Sequence, residues 1–153
     1  MLDLLVSAAV EAATNDAPRE WAAARPDRSV SAVRQAATVP ARWRAFAACV
    51  LHRESGASLD RPQSGVGALN SSGAAGRWQF MPAWRRGLPY MVRDRLVRYG
   101  VGQQQATKVR VWLSGHPIHQ WPGLYQDMGA FEVLERGGSF HWKLAGSRCE
   151  GLR

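Results

Sequence analysis

The stretch that decides the fold is PARWRAFAACVLHRE, residues 40–54. Pro40 suits the first turn of a helix, where its missing N–H costs nothing. Trp43, Phe46, Ala47, Val50 and Leu51 then recur at helical spacing and form one apolar stripe. Ser55-Gly56 stops the helix, which leaves Glu54 on its last turn. There the negative end of the helix dipole disfavours an anion and helps a carboxylic acid keep its proton.

The same periodicity recurs on either side. Leu88, Met91, Val92, Arg95, Leu96 and Tyr99 predict an amphipathic helix closed by Gly100. Residues 103–114 predict another, with Ala106, Val109 and Leu113 inward and Gly115 after it. Tyr125, Met128, Phe131 and Leu134 mark a last helix, ended by Gly137-Gly138. Residues 56–76 are rich in Gly, Ser, Pro and Asn and read as loop; residues 139–153 read as an irregular tail. Residues 1–38 read as an Ala-rich helical lead-in, with Leu2, Leu5, Val6, Ala9, Val10 and Ala13 on one face. Breaks fall at Asn15–Pro18 and Pro26–Ser29, and a short helix is expected over 30–37. No run alternates as a strand does. The expectation is an all-α or strongly α-dominated fold, with at most a small hairpin, in a domain spanning residues 39–153.

The chain has 153 residues, enough for one domain with one core. Its net charge is +8, carried by 18 Arg and 2 Lys spread from Arg19 to Arg153, so its partner or that partner's surroundings are anionic. No basic block of the kind found in nucleic-acid tails occurs. The seven Trp either all serve core packing or include some that line a groove for flat ligands such as sugar rings. Cys49 and Cys149 are either two buried thiols or one disulfide returning the chain's end to an early element, and the disulfide is favoured. The apolar run at residues 4–10 is flanked by Asp3 and Glu11 and has no basic residue before it, so it reads neither as a signal peptide nor as a membrane span.

Two segments carry chemistry. In Cys49-Val-Leu-His52-Arg53-Glu54-Ser55-Gly56 an acid ends an apolar helix; in Ser72-Gly73-Ala-Ala-Gly76-Arg77-Trp78-Gln79-Phe80-Met81-Pro82 a Gly-rich turn leads to an aromatic-Gln-aromatic run. Together they resemble the lytic transglycosylase and goose-type lysozyme superfamily, whose pattern is Glu-Ser, a loop of some twenty residues, then Gly-x-x-Gln-x-x-Pro. Residues 76–84 also resemble the resuscitation-promoting factors, whose small domains carry a disulfide near the catalytic Glu that Cys49 and Cys149 would reproduce. The likeness is specific over residues 49–84. The Tyr-Asn-x-Gly run of many transglycosylases is absent, and Tyr125, followed by Gln126-Asp127, is the nearest aromatic to it.

The resemblance implies a lysozyme-like fold and cleavage of the MurNAc–GlcNAc bond of peptidoglycan, as a lytic transglycosylase or alternatively a muramidase. Glu54 is then the catalytic acid, and Ser72, Gln79, Trp78, Phe80 and Tyr125 bind substrate. Such an acid must hold its proton near neutral pH, which burial against Phe80, Trp78 and Trp84 would favour. Asp60 is the nearest candidate for a second carboxylate, although a turn role suits it better. No cofactor or metal is expected: His116-Pro117-Ile118-His119 reads as a loop. The expected setting is the cell wall outside the cytoplasm, reached through a phage virion, phage lysis or secretion without a signal peptide, with other virion or lysis proteins as further partners. The bland reading of Glu54 is a solvated helix-end carboxylate paired with Arg53 or Arg77. Two other functions remain, an inactive glycan-binding or structural virion domain and a basic nucleic-acid-binding domain. The enzyme reading itself assigns no nucleic-acid partner and no stable membrane insertion.

Overall fold

A computed structural model describes residues 26–143 and 148–152. The expected amphipathic helix at residues 2–13 and the break at 15–18 lie outside the described residues. Among the described residues five α-helices dominate: α1 (Pro26–Ala36), α2 (Arg44–Ser55), α3 (Leu88–Arg98), α4 (Gln103–Gly115) and α5 (Gly123–Glu135). Short 3-10 turns join them, at Ala41–Trp43 before α2, Pro82–Arg86 before α3 and Ile118–Gln120 before α5, and two more form the tail at Gly138–Trp142 and Glu150–Leu152. Among the described residues, β-structure is confined to isolated bridges, Ser58 with Arg61 and Ala75 with both Leu69 and Phe80. The protein is all-α, as its periodicity predicts.

The order of packing follows from which faces are apolar. α5 is buried from Gly123 to Leu134 on every side and forms the axis of the molecule. α3 lies against it, α4 packs on α3, and α1 covers another part of α3. α2 contributes Phe46, Ala47, Val50 and Leu51 to the same core, and the stripe read from the sequence is its buried face. α2 stops at Gly56, whose φ of 67° is left-handed backbone that favours glycine; the Gly56 N–H caps the His52 carbonyl and the Ala57 N–H that of Leu51.

Two boundaries differ from expectation. Pro26 opens α1 instead of breaking the chain, as a first-turn proline can. Ala32, Val33 and Ala36 belong to the common core, so the domain begins upstream of residue 39. Arg95 explains why. It is fully buried, gives its Nε–H to the Ala36 carbonyl at 2.6 Å, and pairs with Glu135 on α5. The end of α1 is thereby an integral part of the α3–α5 layer.

Candidate active site

Glu54 lies three residues beyond Leu51, four beyond Val50 and seven beyond Ala47, so helical geometry places it on the buried stripe of α2 where the core opens. Its side chain retains 24% exposure. Ser55, next in sequence, donates its hydroxyl to the Arg77 carbonyl at 2.7 Å. That bond fastens the end of α2 to the second chemistry-bearing segment. The Glu-Ser pair and the Gly-rich turn, 22 residues apart, are therefore adjacent in space.

The turn is built around Ala75 and Phe80, which exchange two backbone hydrogen bonds of 2.9 Å and enclose residues 76–79. Gly76 has φ of 76°, and a Cβ there would stand 2.1 Å from the Gln126 side chain. Gln126, wholly buried on α5, accepts the Arg77 N–H at 2.8 Å and donates to the carbonyls of Val66, Ile118 and Trp121. A single amide thus satisfies backbone groups from three loops. Gln79 takes φ of 49°, and its own amide donates to the Gly76 carbonyl at 3.0 Å, closing the turn from within.

Beneath the turn lies a buried polar cluster. Arg77 and Asp127 are in ionic contact at 2.9 Å, and the Trp78 indole N–H donates to Asp127 at 2.7 Å. Arg77 reaches the carbonyls of Ser58 at 2.6 Å and Arg61 at 3.0 Å, which fixes the loop after α2. Burial pushes the Asp127 carboxyl up to about 7, against the opposing pull of Arg77 and the Trp78 indole.

The tail closes the other side. Trp142 packs on Trp78 and Phe80 with ring centroids 5.5 and 5.8 Å away, and its indole donates to the Trp78 carbonyl at 3.0 Å. Its own carbonyl accepts Arg53 Nη2 at 2.8 Å. That same Nη2 stands 2.5 Å from Glu54 Oε1, with Arg53 Nε at 3.0 Å. Cys49, one turn back on α2, is bonded to Cys149 with the Cα atoms 5.5 Å apart. Of the two cysteine readings, the disulfide is the one realised.

The candidate residues divide accordingly. Glu54 is linked to the Gln79 turn through the Ser55–Arg77 bond and to Phe80 through Arg53 and Trp142. Trp78 (0% exposed) and Tyr125 (1%) are corrected: both are core residues that offer a ligand no surface. Burial pushes the Tyr125 hydroxyl up to about 12, and that hydroxyl has no hydrogen-bond partner. Ser72 is exposed at the tip of the loop, its N–H held by Asn70 Oδ1 at 2.9 Å. Phe80 is buried but borders a small cavity of about 170 Å³ with Pro82, Arg85 and His119. Trp84 is half-buried and meets Phe80 edge-on at 6.0 Å.

Asp60 has a charged partner of its own. It faces Arg44 at 3.6 Å, ten residues or roughly 15 Å up α2 from Glu54. It borders a groove of about 600 Å³ along Ala41, Ala45, Ala48 and His52, on the face of α2 opposite the core. The His116 ring bonds the Trp112 carbonyl and stacks on its indole, and among the described residues no cluster suits a metal.

Arg53, Gln126, Asp127 and Trp142 are the site residues that sequence reasoning missed or passed over. Comparison with family models, with curated proteins and with solved structures gives no match.

Proposed function

We propose that this protein cleaves peptidoglycan glycan strands between MurNAc and GlcNAc, as a lytic transglycosylase, with Glu54 as its acid and base. The observation that carries the reading is the Ser55–Arg77 hydrogen bond, which joins the Glu-Ser helix end to the Gly-x-x-Gln turn. The pairing of Asp60 with Arg44 favours the one-acid route over ordinary two-carboxylate hydrolysis. In that route Glu54 gives its proton to the leaving glycosidic oxygen as the C1–O4 bond breaks. The resulting carboxylate then takes the proton of the MurNAc 6-hydroxyl as O6 bonds to C1. The product is a 1,6-anhydro sugar, no water is consumed, and Glu54 ends protonated. The setting of this activity is the wall outside the cytoplasm, reached by a phage or by secretion.

The test is lysis of purified wall with analysis of the released muropeptides. Glu54→Gln should abolish lysis with the fold intact, whereas Asp60→Asn should stay within about threefold of wild type and give 1,6-anhydro ends. Reducing-end products together with an inactive Asp60→Asn would replace the transglycosylase with a muramidase. A second reading, an inactive glycan-binding domain, draws support from the guanidinium that occupies Glu54 Oε1. Wall binding without lysis by the wild-type protein would establish it.

A further inference from the structure

The geometry points to Arg53 as a positioning residue for bond cleavage, acting through Glu54; the inference rests on the reading of Glu54 as the acid. Two N–H groups of one guanidinium, Nε at 3.0 Å and Nη2 at 2.5 Å, converge on the same carboxylate oxygen, Oε1. Oε2 is left as the oxygen that carries and exchanges the proton. A carboxyl at a helix end otherwise rotates freely about its last bond, and a fork on one oxygen removes that freedom.

Sequence neighbours can pair in this way without consequence. Arg93 and Asp94 on α3 do so with the same two nitrogens, at 2.9 and 2.5 Å. Arg53 differs in being held from a third side: Nη2 also donates to the Trp142 carbonyl at 2.8 Å, across 89 residues. Trp142 is itself buried and fixed by its indole bond to the Trp78 carbonyl. The chain of contacts runs from the rigid aromatic cluster through Arg53 to Oε1, and orients the acid from the tail side as Ser55 anchors its backbone from the turn side. Arg53 Nη1 is buried without a hydrogen-bond partner, facing no protein acceptor.

This role needs a planar fork, which lysine lacks. Turnover of soluble glycan strands by the full chain should fall about tenfold in kcat for Arg53→Lys, with KM within about twofold and an unchanged thermal midpoint. Arg53→Ala should fall further, by roughly 30–100-fold in kcat. If Arg53→Ala proves unstable, the lysine variant, which keeps the charge and one hydrogen bond, carries the test alone. Wild-type kcat in Arg53→Lys, or a loss confined to KM, would overturn the inference. Glu54→Gln run alongside separates the two claims: if it is inactive while Arg53→Lys is unimpaired, only the positioning role fails. If Glu54→Gln cleaves normally, Glu54 is not the acid and the role of Arg53 falls with it.

Discussion

Gln79 has two roles that pull in different directions. Its φ of 49° is left-handed backbone, and its amide closes the turn on Gly76. Gln79→Ala keeps the backbone cost and loses the closing bond, so unfolding should become easier by about 1–2 kcal/mol. Gln79→Gly loses the bond but relieves the backbone, and should lie within about 1 kcal/mol of wild type. Comparing the two by denaturant unfolding and by lysis separates stability from chemistry. If the amide also handles substrate, Gln79→Gly lyses wall at least tenfold more slowly despite its normal stability. Full activity in the glycine variant would make Gln79 a turn residue alone. At this scale Glu54, Ser55 and the Gly76 turn were legible, because helix stops and glycine turns are local. Trp78 and Tyr125 were not, since an aromatic reads the same in a groove as in a core until its neighbours are known.

Among the elements, α5 was the hardest to read. Periodicity marks Tyr125, Met128, Phe131 and Leu134 and assigns no place to Gln126, Asp127 and Glu132. All three are buried, because partners arrive from far along the chain: Arg77 for Asp127, the Arg77 N–H for Gln126, and Arg98 for Glu132, which Arg136 also meets from one turn away. One signal was available. In a chain with 20 Lys and Arg, the thirteen residues of α5 contain none, whereas each of α1 to α4 has at least two. Asp127 gives this burial a pH signature. Its carboxyl, raised from 3.8 to about 7, holds a proton more tightly folded than unfolded. The stabilisation it contributes is therefore fully present below about pH 4 and is lost as pH rises through about 7. The stability of wild type relative to Asp127→Asn should fall between pH 4 and 7.5, measured by denaturant midpoints. A relative stability that rises over this range would mean that Arg77 keeps the carboxylate ionised.

For the whole molecule, the helical class and the disulfide pairing were read in advance, and the upstream boundary was not. The lead-in looked separable because Ala-rich sequence carries little pattern, yet Arg95 binds its end into the core. The Cys49–Cys149 bond closes 100 residues, worth about 4–5 kcal/mol on a chain-entropy reckoning. It also has a nearer effect. Cys49 and Arg53 are one helical turn apart on α2, and both hold the tail, at Cys149 and Trp142. Along the chain Arg53 and Trp142 are 89 residues apart, but through the sulfur bridge the covalent route shortens to about a dozen. That is nearly three halvings of loop length, or roughly 2 kcal/mol of closure entropy spared at the contact beside the acid. Reduction should therefore be felt at Glu54 before it is felt by the fold. With increasing reductant, kcat should drop while far-ultraviolet circular dichroism at 25 °C remains native. Activity and helicity lost in step would instead mean that the bridge serves only the fold. If kcat falls first, the bridge makes the acid's geometry depend on the thiol potential of its surroundings, so that the same folded chain is slow where thiols are kept reduced and fast where they are not.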